Sequence, residues 1–428
     1  MKIAVVALGK IGLPLAVQFA DSGHEVIGAD VNEATVTSVN RGEAPFPGEA
    51  HLEEKLAEVV GAGRLRATTD TTAAVRECQA VVIVVPLFVD DEGTPDFGWM
   101  DDATAAVAAG LQPGTLVSYE TTLPVGTTRQ RFRPMLVEGS GIDDFYLVFS
   151  PERVFTGRVF SDLRRYPKLV GGVDSQSTKV GMDFYAQVLQ FDERADLPRP
   201  NGVWDMGSAE ASEMAKLAET TYRDVNIGLA NQFARFADQH GIDVQRVIEA
   251  CNSQPFSHIH QPGIAVGGHC IPIYPRFYLW NDPEASIVEA ARTANAQMPA
   301  YAVALLSRLY PDLDGATVAV LGASYRGGVK ETAFSGVFPT VEALLAVGAR
   351  PVVHDPMFSD EEIQRLGFTP YHLGEPADAA VIQADHPQYR ELTDEQLPAG
   401  VVIDGRRVLD RDQLTGATVV TIGGGGDR

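Results

Sequence analysis

The opening of the chain holds the pattern that most limits its fold. An apolar run over residues 2–7, KIAVVA, is followed by Gly9, Gly12 and a helical pattern, and a second apolar run ends in Asp30. Apolar runs without alternation are typical of strands in a sheet covered on both faces. The pattern therefore predicts a β-α-β unit with a glycine-rich first turn, which begins a doubly wound α/β domain.

The same pattern returns near the C-terminus. Residues 317–328, TVAVLGASYRGG, again run from a strand into a glycine turn, and residues 349–356 end a strand on Asp355. Between the two, apolar runs at 80–86, 115–120 and 145–150 alternate with helical segments. We interpret this as an internal, weakly similar repeat, so the chain holds two units of one kind.

A long helical segment separates the two units. From Ser208, a predicted N-cap, to His240 the sequence is helical in pattern and free of proline, and it stops at Gly241. A helix of this length spans ~48 Å. We expect it to cross the molecule and to form a subunit interface.

The predicted fold class is therefore α/β, two Rossmann-like doubly wound domains joined by a long central helix. We predict a first domain over 1–207, a central helical region over 208–310 and a second Rossmann-like domain over 311–428. The glycine-rich tail, 421–428, is expected to fray.

Composition excludes several classes of protein. Asp and Glu number 57 against 34 Lys and Arg, a formal net charge of -23, which argues against a nucleic-acid groove and against docking on an anionic membrane. The sequence contains no apolar run near the ~18 residues that a membrane span requires. Three cysteines form no even framework, which suits a reducing compartment, so we expect a cytoplasmic protein.

The first turn predicts a dinucleotide site. It reads A-x-G-x-x-G over residues 7–12, in which Gly9 lets a pyrophosphate approach the backbone and Gly12 permits close packing of helix on strand. Asp30 stands where a carboxylate binds a ribose 2′-hydroxyl and repels a 2′-phosphate, so NAD is favoured over NADP. The alternative is a tight turn without a cofactor.

Cys270 is the candidate nucleophile. It lies in PGIAVGGHCIPIYP, where two glycines let substrate and backbone come close and prolines stiffen the loop. A thiol in such a setting acts as a nucleophile when its neighbours lower its pKa. The alternative is a small buried apolar residue, which is our interpretation of Cys78 and Cys251. His269 is adjacent but points to the other side of an extended segment, so a direct pair with Cys270 is not expected.

Further candidates lie on the long helix and at strand ends. Lys216, Thr220 and Arg223 form one polar stripe at i, i+4 and i+7, for which the alternative is a solvated face. Thr122 and Glu152 follow strands at the carboxyl edge of the sheet, where open α/β sheets bind ligands. The alternative for Glu152 is a helix-start residue after Pro151.

Together these segments resemble the UDP-glucose/UDP-N-acetylhexosamine 6-dehydrogenase family over nearly the whole chain. The specific motifs are VGGHCIP and SPERV, and IGLPLA, VPLFVDDEGTPDF, ETTLPVGTT, KLVGG, VVHDP and DGRRVLD accompany them. The resemblance implies oxidation of a sugar C6 alcohol to a carboxylate with two NAD, on a nucleotide-sugar substrate. It also implies a dimer or a larger oligomer built on the long helix, and we expect a homodimer.

The resemblance also implies roles for individual residues, and it implies no metal ligands. Cys270 is the nucleophile, Lys216 stabilises the oxyanion, and Glu152 acts on the water that hydrolyses the thioester; Thr122 and Thr220 assist. NAD contacts are implied for Gly9, Lys10, Ile11, Gly12, Asp30, Pro86 and Thr122, and substrate contacts for Glu152, Lys216, Gly267, Gly268, Tyr274, Arg326 and Arg407. Lys168 is predicted from its charge alone to help hold the uridine diphosphate.

The sequence departs from the family pattern at several positions. Tyr274 replaces the usual Asp, Thr220 replaces an Asn, Phe256 and Ala333 replace arginines, and position 156 is Thr. Three hypotheses follow: a four-electron nucleotide-sugar 6-dehydrogenase, which we favour, a two-electron oxidoreductase on a nucleotide sugar, and a non-catalytic nucleotide-sugar binding protein. The sugar and the base stay open at this point.

Overall fold

The computed structural model describes residues 1–90 and 92–425. The chain divides into two compact units, Met1–Glu219 and Thr220–Arg428, with the boundary inside the long helix. The three-part division at 207 and 310 stays a prediction. No helix of the described residues is both long and apolar enough to cross a membrane.

The first unit alternates strands and helices. Its strands are β1 (Lys2–Val6), β2 (Glu25–Ala29), β3 (Leu65–Thr68), β4 (Ala80–Ile83), β5 (Phe88–Val89), β6 (Pro95–Asp96), β7 (Leu116–Tyr119), β8 (Tyr146–Phe149), β9 (Lys168–Gly172) and β10 (Val203–Asp205). Its helices are α1 (Gly12–Asp21), α2 (Glu33–Asn40), α3 (Leu52–Gly61), α4 (Thr71–Arg76), α5 (Gly98–Gly110), α6 (Arg133–Ser140), α7 (Val159–Arg165), α8 (Ser175–Val188) and α9 (Ala209–His240), which continues into the second unit.

The main sheet of this unit has Rossmann order. Among the described residues its strands lie in the order β10-β9-β8-β7-β4-β1-β2-β3. From β3 to β8 all pairs are parallel, and numbering these strands along the chain gives the order 3-2-1-4-5-6. The order reverses between β1 and β4, and open α/β sheets bind ligands in the crevice at that point.

Strand β9 departs from the parallel pairing that is typical of a doubly wound domain. It runs antiparallel to β8, with Val148 opposite Gly172. A parallel neighbour needs a crossover that returns the chain to the opposite edge. Here the loop after β8 and the short helix α7 lead the chain straight back, so β9 begins at the edge where β8 ends. This reversal places Lys168, the first residue of β9, at the carboxyl edge of the parallel strands.

The core explains why these segments form strands and helices. Strand β1 is buried from Ile3 to Val6, as expected for a central strand covered on both faces. Helix α1 packs on the sheet through an almost entirely buried surface that includes Leu13 and Phe19. The Phe19 ring meets the Phe184 ring of α8 edge to face at 5.8 Å.

The second unit repeats the architecture in a smaller sheet. Its helices are α10 (Val244–Asn252), α11 (Tyr274–Asn281), α12 (Ser286–Ala296), α13 (Met298–Leu309), α14 (Val337–Ala346) and α15 (Asp360–Arg365). Its strands are β11 (Thr317–Leu321), β12 (Arg350–His354), β13 (Ala379–Ile382), β14 (Val401–Asp404) and β15 (Thr418–Thr421). They pair in parallel in the order β12-β11-β13-β14-β15, the 2-1-3-4-5 order of the other common doubly wound fold. The predicted fold class is confirmed.

One contact repeats between the two units. Asp30 Oδ2 accepts the amide of Leu8 at 2.7 Å, and Asp355 Oδ2 accepts the amides of Ala323 and Ser324 at 2.9 Å. In both units the acid at the end of the second strand holds the turn after the first. In the second unit, however, Asp355 is buried and is also covered by His386, whose Nε2 lies 3.0 Å away.

The long helix begins after the residue that the sequence predicts as its cap. Ser208 caps α9 as predicted, because its Oγ accepts the amide of Ala211 at 3.1 Å.

The prediction of a frayed tail over residues 421–428 is wrong as far as Gly425. The amides of Gly423 and Gly425 donate to the carboxylate of Asp238 at 3.0 and 3.3 Å and hold the tail in place. Residues 426–428 lie outside the described residues, as does position 91 of the VPLFVDDEGTPDF segment.

Candidate active site

The turn between β1 and α1 leaves room where a dinucleotide needs it. A β-carbon at position 12 would lie 1.9 Å from the carbonyl oxygen of Ala7, so only glycine fits. A β-carbon at position 9 would meet nothing within 4 Å, so open space lies above Gly9. Ala7 has a φ of 74°, in the left-handed region, and stands where the first glycine of a dinucleotide turn belongs.

The neighbours of this turn also fit a dinucleotide. Helix α1 begins at Gly12. Its N-cap residue, Ile11, provides no side-chain cap and its first turn holds no acidic residue, so its amides and positive dipole end face this edge. Lys10 lies exposed in the same turn. The Asp30 carboxylate is held by the amides of Leu8 and Asn32 at 2.7 and 2.9 Å and stays partly exposed. These residues fit NAD.

A hydrogen bond joins the loops after β4 and β7, beside the place where the strand order reverses. Thr121 Oγ1 donates to the carbonyl of Val85 at 2.7 Å. Pro86 is exposed directly after β4, and Thr122 is buried directly after β7. Both residues therefore lie at the carboxyl edge that carries the dinucleotide turn.

Glu152, Lys168 and Glu120 form a buried cluster at the same edge. Lys168 Nζ lies 2.6 Å from Glu120 Oε2 and 3.0 Å from Glu152 Oε2. Tyr185 donates to Glu120 Oε1 at 2.6 Å, and Ser118 Oγ lies 2.7 Å from the Tyr185 hydroxyl. The side chains of Lys168 and Glu120 are 4% and 0% exposed, and that of Glu152 is 11% exposed, so water reaches mainly Glu152.

The surroundings of Glu120 and Glu152 shift the pKa values of these two carboxyl groups in opposite directions. Burial raises the pKa of Glu120 to about 7 against the opposing charge of Lys168. Burial also raises the pKa of Glu152, but Lys168, the Arg153 amide and Lys216 outweigh it, so the pKa falls below its ordinary value. The two carboxylates outweigh burial at Lys168 and raise its pKa. Glu152 is therefore the anion of the pair and Lys168 its counterion.

This arrangement does not support the predicted contact between Lys168 and a uridine diphosphate. The ammonium is buried and bonded to two carboxylates, so its charge is already balanced. The prediction rested on charge alone, and charge alone does not show where a side chain lies.

Lys216 reaches the same loop from the long helix. Its Nζ donates to the main-chain carbonyl of Glu152 at 2.6 Å. One turn earlier, the buried Glu213 accepts the amides of Gly126 and Thr128 at 2.6 and 2.9 Å, which holds the loop that follows Thr122. The first unit therefore places Lys216 beside Glu152, at the edge where Thr122 and Glu152 were predicted to lie.

The cysteine loop belongs to the second unit. Cys270 is exposed, and its carbonyl accepts the amides of Ile273 and Tyr274 at 3.2 and 2.9 Å at the start of α11. His269 turns to Glu331, 3.2 Å from its carboxylate, so it does not pair with the thiol, as predicted. Tyr274 is the first residue of α11 and is half-buried, and Thr220 is buried on α9.

The other two cysteines differ from each other. Cys78 is buried, as predicted, and burial raises the pKa of its thiol to about 12. Cys251 is only half-buried, because α10 is amphipathic and carries it at the border of its buried face. The prediction of a buried Cys251 is therefore wrong in degree.

Gly267 and Gly268 leave space that other atoms of the protein occupy. A β-carbon at Gly267 would lie 2.5 Å from Tyr325 Cβ and 2.8 Å from the Phe334 carbonyl. Gly268 has a φ of 93°, and its amide donates to the Ala333 carbonyl at 2.8 Å. The space that we expected for substrate is used by the loop after β11, so the glycines fix the loop that carries Cys270.

Arg326, Arg406 and Arg407 of the second unit lie in different surroundings. Arg407 makes a bidentate pair with Asp243 at 2.8 and 3.0 Å, and Arg326 is exposed beside Tyr325. Arg406, which was not predicted from the sequence, lies against the cysteine loop. A β-carbon at Gly263 would lie 2.6 Å from its Nη1, and the side chain lines a cavity of about 420 Å³ with Gln261 and Pro262 among its walls.

Sequence reasoning missed four residues of these sites. They are Glu120, Tyr185, Glu213 and Arg406. Glu120 ends a buried strand and Arg406 is the first arginine of DGRR, so strand-end position was a usable signal for both. Tyr185 and Glu213 sit in amphipathic helices, where their sequence context is that of ordinary core and surface residues.

A dinucleotide turn with an acid on the ribose side serves hydride transfer, so the fold and site define an NAD-dependent dehydrogenase. Models of the UDP-glucose/GDP-mannose dehydrogenase family match in three parts: the NAD binding domain over residues 1–189, the central domain over 210–297 and the UDP binding domain over 319–411. The chain belongs to this family.

Individual relatives match over nearly the full length. UDP-N-acetyl-D-mannosamine dehydrogenase of Pyrococcus horikoshii is 34% identical over 96% of both chains, and its solved structure superposes with a TM-score of 0.88 over 100% of both. NDP-N-acetyl-D-galactosaminuronic acid dehydrogenase of Ralstonia nicotianae is 31% identical over 94% of this chain and 95% of its own. The structure of a UDP-glucose dehydrogenase from Pyrobaculum islandicum has a TM-score of 0.86 at 27% identity, covering 97% of this chain and 96% of that one.

Proposed function

We propose that this protein oxidises the C6 alcohol of a UDP-linked N-acetylhexosamine to the uronic acid, with NAD as electron acceptor. The observation that carries the proposal is the exposed thiol of Cys270, on a glycine-fixed loop directly before α11. The names of the Pyrococcus and Ralstonia relatives support an N-acetylated sugar. The match to a UDP binding domain supports a nucleotide sugar.

The thiol solves the chemical problem of the second oxidation. NAD, when bound, supplies the acceptor for a hydride in each of two oxidations. An aldehyde has no ready hydride to give, but addition of the Cys270 sulfur to its carbon forms a C–S bond and a thiohemiacetal that does. Loss of that hydride leaves a thioester, and water then cleaves the C–S bond to give the acid and the free thiol.

The first unit supplies the polar groups for these steps. We assign Lys216 to the stabilisation of the developing oxyanion, since a cation at that point lowers the barrier. Glu152, ionised beside Lys168, takes the proton of the hydrolytic water. Thr122 and Thr220 are assigned to the positioning of water and substrate.

Substrate contacts are assigned to the second unit and to the same two residues of the first. Glu152 and Lys216 contact the sugar, and Tyr274, Arg326 and Arg407 serve the substrate with the loop of Gly267 and Gly268. Arg406 joins this set, because it lies against the cysteine-loop segment while Arg407 is paired with Asp243. A guanidinium suits a diphosphate, which it binds through paired hydrogen bonds.

A second candidate function is a two-electron oxidation that ends at the aldehyde. This function is compatible with Tyr274, the residue at the start of α11 that takes the place of the family's usual Asp. The third hypothesis, a non-catalytic nucleotide-sugar binding protein, is not supported by the exposure of Cys270.

The experiment is a panel of UDP- and GDP-linked sugars with NAD, followed by NADH absorbance and product mass. Two NADH per UDP-N-acetylhexosamine and a product heavier by the conversion of CH2OH to COOH support the proposal. One NADH per sugar with an aldehyde product supports the second candidate. Binding of the sugar without NADH means that the protein is not a dehydrogenase.

We further propose a homodimer through α9, in the cytoplasm. Exposed apolar side chains follow one face of the helix at Tyr222, Leu229, Phe233 and Phe236, spaced by seven, four and three residues. This is the spacing of a helix–helix seam. The three free cysteines suit a reducing compartment.

A further inference from the structure

We propose that Lys168 is a positioning residue for Glu152: it holds the Glu152 carboxylate ionised and oriented for the hydrolytic step, and Glu120 anchors Lys168 from the other side. The inference rests on the proposed function, because the step that it serves is hydrolysis of the Cys270 thioester.

The direction of β9 places Lys168 between two carboxylates, and we call this arrangement of Glu120, Lys168 and Glu152 the bridge. Because β9 is antiparallel to β8, its first residue, Lys168, lies at the edge where β7 and β8 end. Its ammonium lies 2.6 Å from Glu120, which follows β7, and 3.0 Å from Glu152, which follows β8. Glu120 is fixed in turn by the Tyr185 hydroxyl at 2.6 Å. The Lys168 ammonium also lies 4.9 Å from the centre of the Tyr185 ring. Contacts with three side chains therefore leave the Lys168 ammonium little freedom.

The charges of the bridge require Lys168. Two buried carboxylates at one site do not both ionise without a cation between them. Glu152 faces Lys168, its own loop's Arg153 amide, and Lys216 on α9, which binds its main-chain carbonyl. The charged and titratable groups that shift the pKa of Glu120 most are Lys168, Glu152 and Tyr185. Among the described residues, Lys168 is thus the group that bonds both carboxylates.

The step is the cleavage of the thioester. The oxygen of water forms a bond to the acyl carbon, the proton of that water passes to Glu152, and the C–S bond breaks with its electron pair on Cys270. A protonated or misdirected Glu152 accepts no proton, so the thioester persists. We assign Glu152 as a base to this step alone, so the hydride transfers before it should still occur.

The experiment compares Lys168→Met with Lys168→Arg by rapid mixing of enzyme, NAD and the sugar that the panel identifies. For Lys168→Met we expect a burst of NADH followed by turnover that is slower by roughly a hundredfold. Acid quenching should show a mass increase on Cys270. Lys168→Arg keeps a buried cation and should recover most of the turnover.

A pH profile adds a readout that a structural role would not move. Lys168→Met should shift the acid limb of kcat to higher pH, because Glu152 loses its counterion. Glu120→Gln should leave the acid limb nearly unchanged, because Glu120, with a pKa of about 7, is already protonated at the pH where Glu152 titrates. A shift in Lys168→Met that is absent in Glu120→Gln is the expected signature of this bridge, and an acid limb of Lys168→Met that stays at the wild-type pH overturns it.

The control is Lys55→Met, which removes a surface pair with Asp21 of the same 2.6 Å length and should change neither burst nor turnover. If Lys168→Met does not fold, the double variant Lys168→Met/Glu120→Gln removes the surplus carboxylate and should fold, yet still accumulate the adduct. Wild-type turnover in any folded Lys168→Met variant overturns the inference and leaves the proposed function standing. If the wild-type enzyme itself makes no NADH with any sugar, both fall together.

Discussion

The carbonyl oxygen of Ala7 occupies the place where a β-carbon of residue 12 would stand, 1.9 Å from that position. The first turn is therefore closed by an approach that only glycine permits. Two positions away from Ala7, by contrast, Gly9 faces open space. The two glycines of the turn thus have separable roles, one in packing and one in ligand binding.

We expect Gly12→Ala to weaken both the fold and NAD binding. The added methyl must displace the backbone of Ala7, and overpacking of this kind costs about 1–3 kcal/mol. Urea unfolding and calorimetric titration with NAD measure the two effects. The matched variant Gly9→Ala should unfold like the wild type but bind NAD at least tenfold more weakly, since its methyl enters the space that a pyrophosphate needs. Equal NAD affinity in Gly9→Ala would place the pyrophosphate elsewhere.

Ala7→Gly should stabilise the protein. Ala7 has a φ of 74°, which costs a residue with a β-carbon roughly 1–2 kcal/mol, whereas glycine adopts it freely. Part of this gain is offset by the greater entropy of glycine in the unfolded chain, so we expect a net increase of about 0.5–1 kcal/mol in the free energy of unfolding. Ala57→Gly, at an exposed position inside α3, is the control and should have the opposite sign. A loss of stability in Ala7→Gly would contradict the strain at this turn.

Glu120 should make stability depend on pH between about 4.5 and 7. Burial raises its pKa to about 7 in the folded protein, above the 4.5 of an ordinary glutamate, so the folded state holds a proton that the unfolded state releases. Stability is then highest below pH 4.5 as far as this group is concerned, and it falls as pH rises toward 7, with a slope of up to about 1.4 kcal/mol per pH unit. The Glu120→Gln variant should lack this contribution. Unfolding curves across the range measure the difference, and parallel pH profiles would show that Glu120 holds no proton.

Much of the fold follows from local patterns. The apolar runs predicted the central strands within a few residues, and Asp30 and Asp355 stand at the ends of the predicted second strands of each unit. These features depend on residues close in sequence, so periodicity and turn chemistry suffice to predict them. Thr122 and Glu152 were predicted for the same reason, since strand ends in a parallel sheet share one edge.

The features that sequence reasoning missed depend on contacts between distant residues. The direction of β9 decides that Lys168 meets Glu120 and Glu152 instead of a diphosphate, and nothing within β9 encodes that direction. Likewise, a β-carbon at Gly267 would collide with Tyr325, 58 positions later, so a contact between distant residues requires glycine there. Arg406 and Arg407 are neighbours with identical side chains, and only the fold separates the one on the cysteine loop from the one on Asp243.

Iodoacetamide should modify Cys270 before Cys78. Cys270 is exposed, whereas Cys78 is buried and burial raises the pKa of its thiol to about 12, which leaves almost no thiolate at pH 8. Modification of Cys270 should abolish product formation, and the nucleotide-sugar substrate should protect it. Cys270→Ser should stop before the acid, and Cys251→Ser is the matched control with normal turnover. Full activity after complete labelling of Cys270 would exclude it as the nucleophile.

The apolar stripe on α9 should hold the dimer together. Phe236 is 56% exposed and its ring lies 4.3 Å from that of His240, which leaves a broad apolar surface facing outward. A charge at the centre of a buried helix seam is costly, so Phe236→Glu and Leu229→Glu should shift the protein from dimer to monomer in light scattering at micromolar concentration. Ile287→Glu introduces the same charge at a side chain that is 72% exposed on α12, outside the stripe, and should leave the dimer intact. If all three variants stay dimeric, the subunits meet through another surface; if the wild type is a monomer, the stripe serves a different contact.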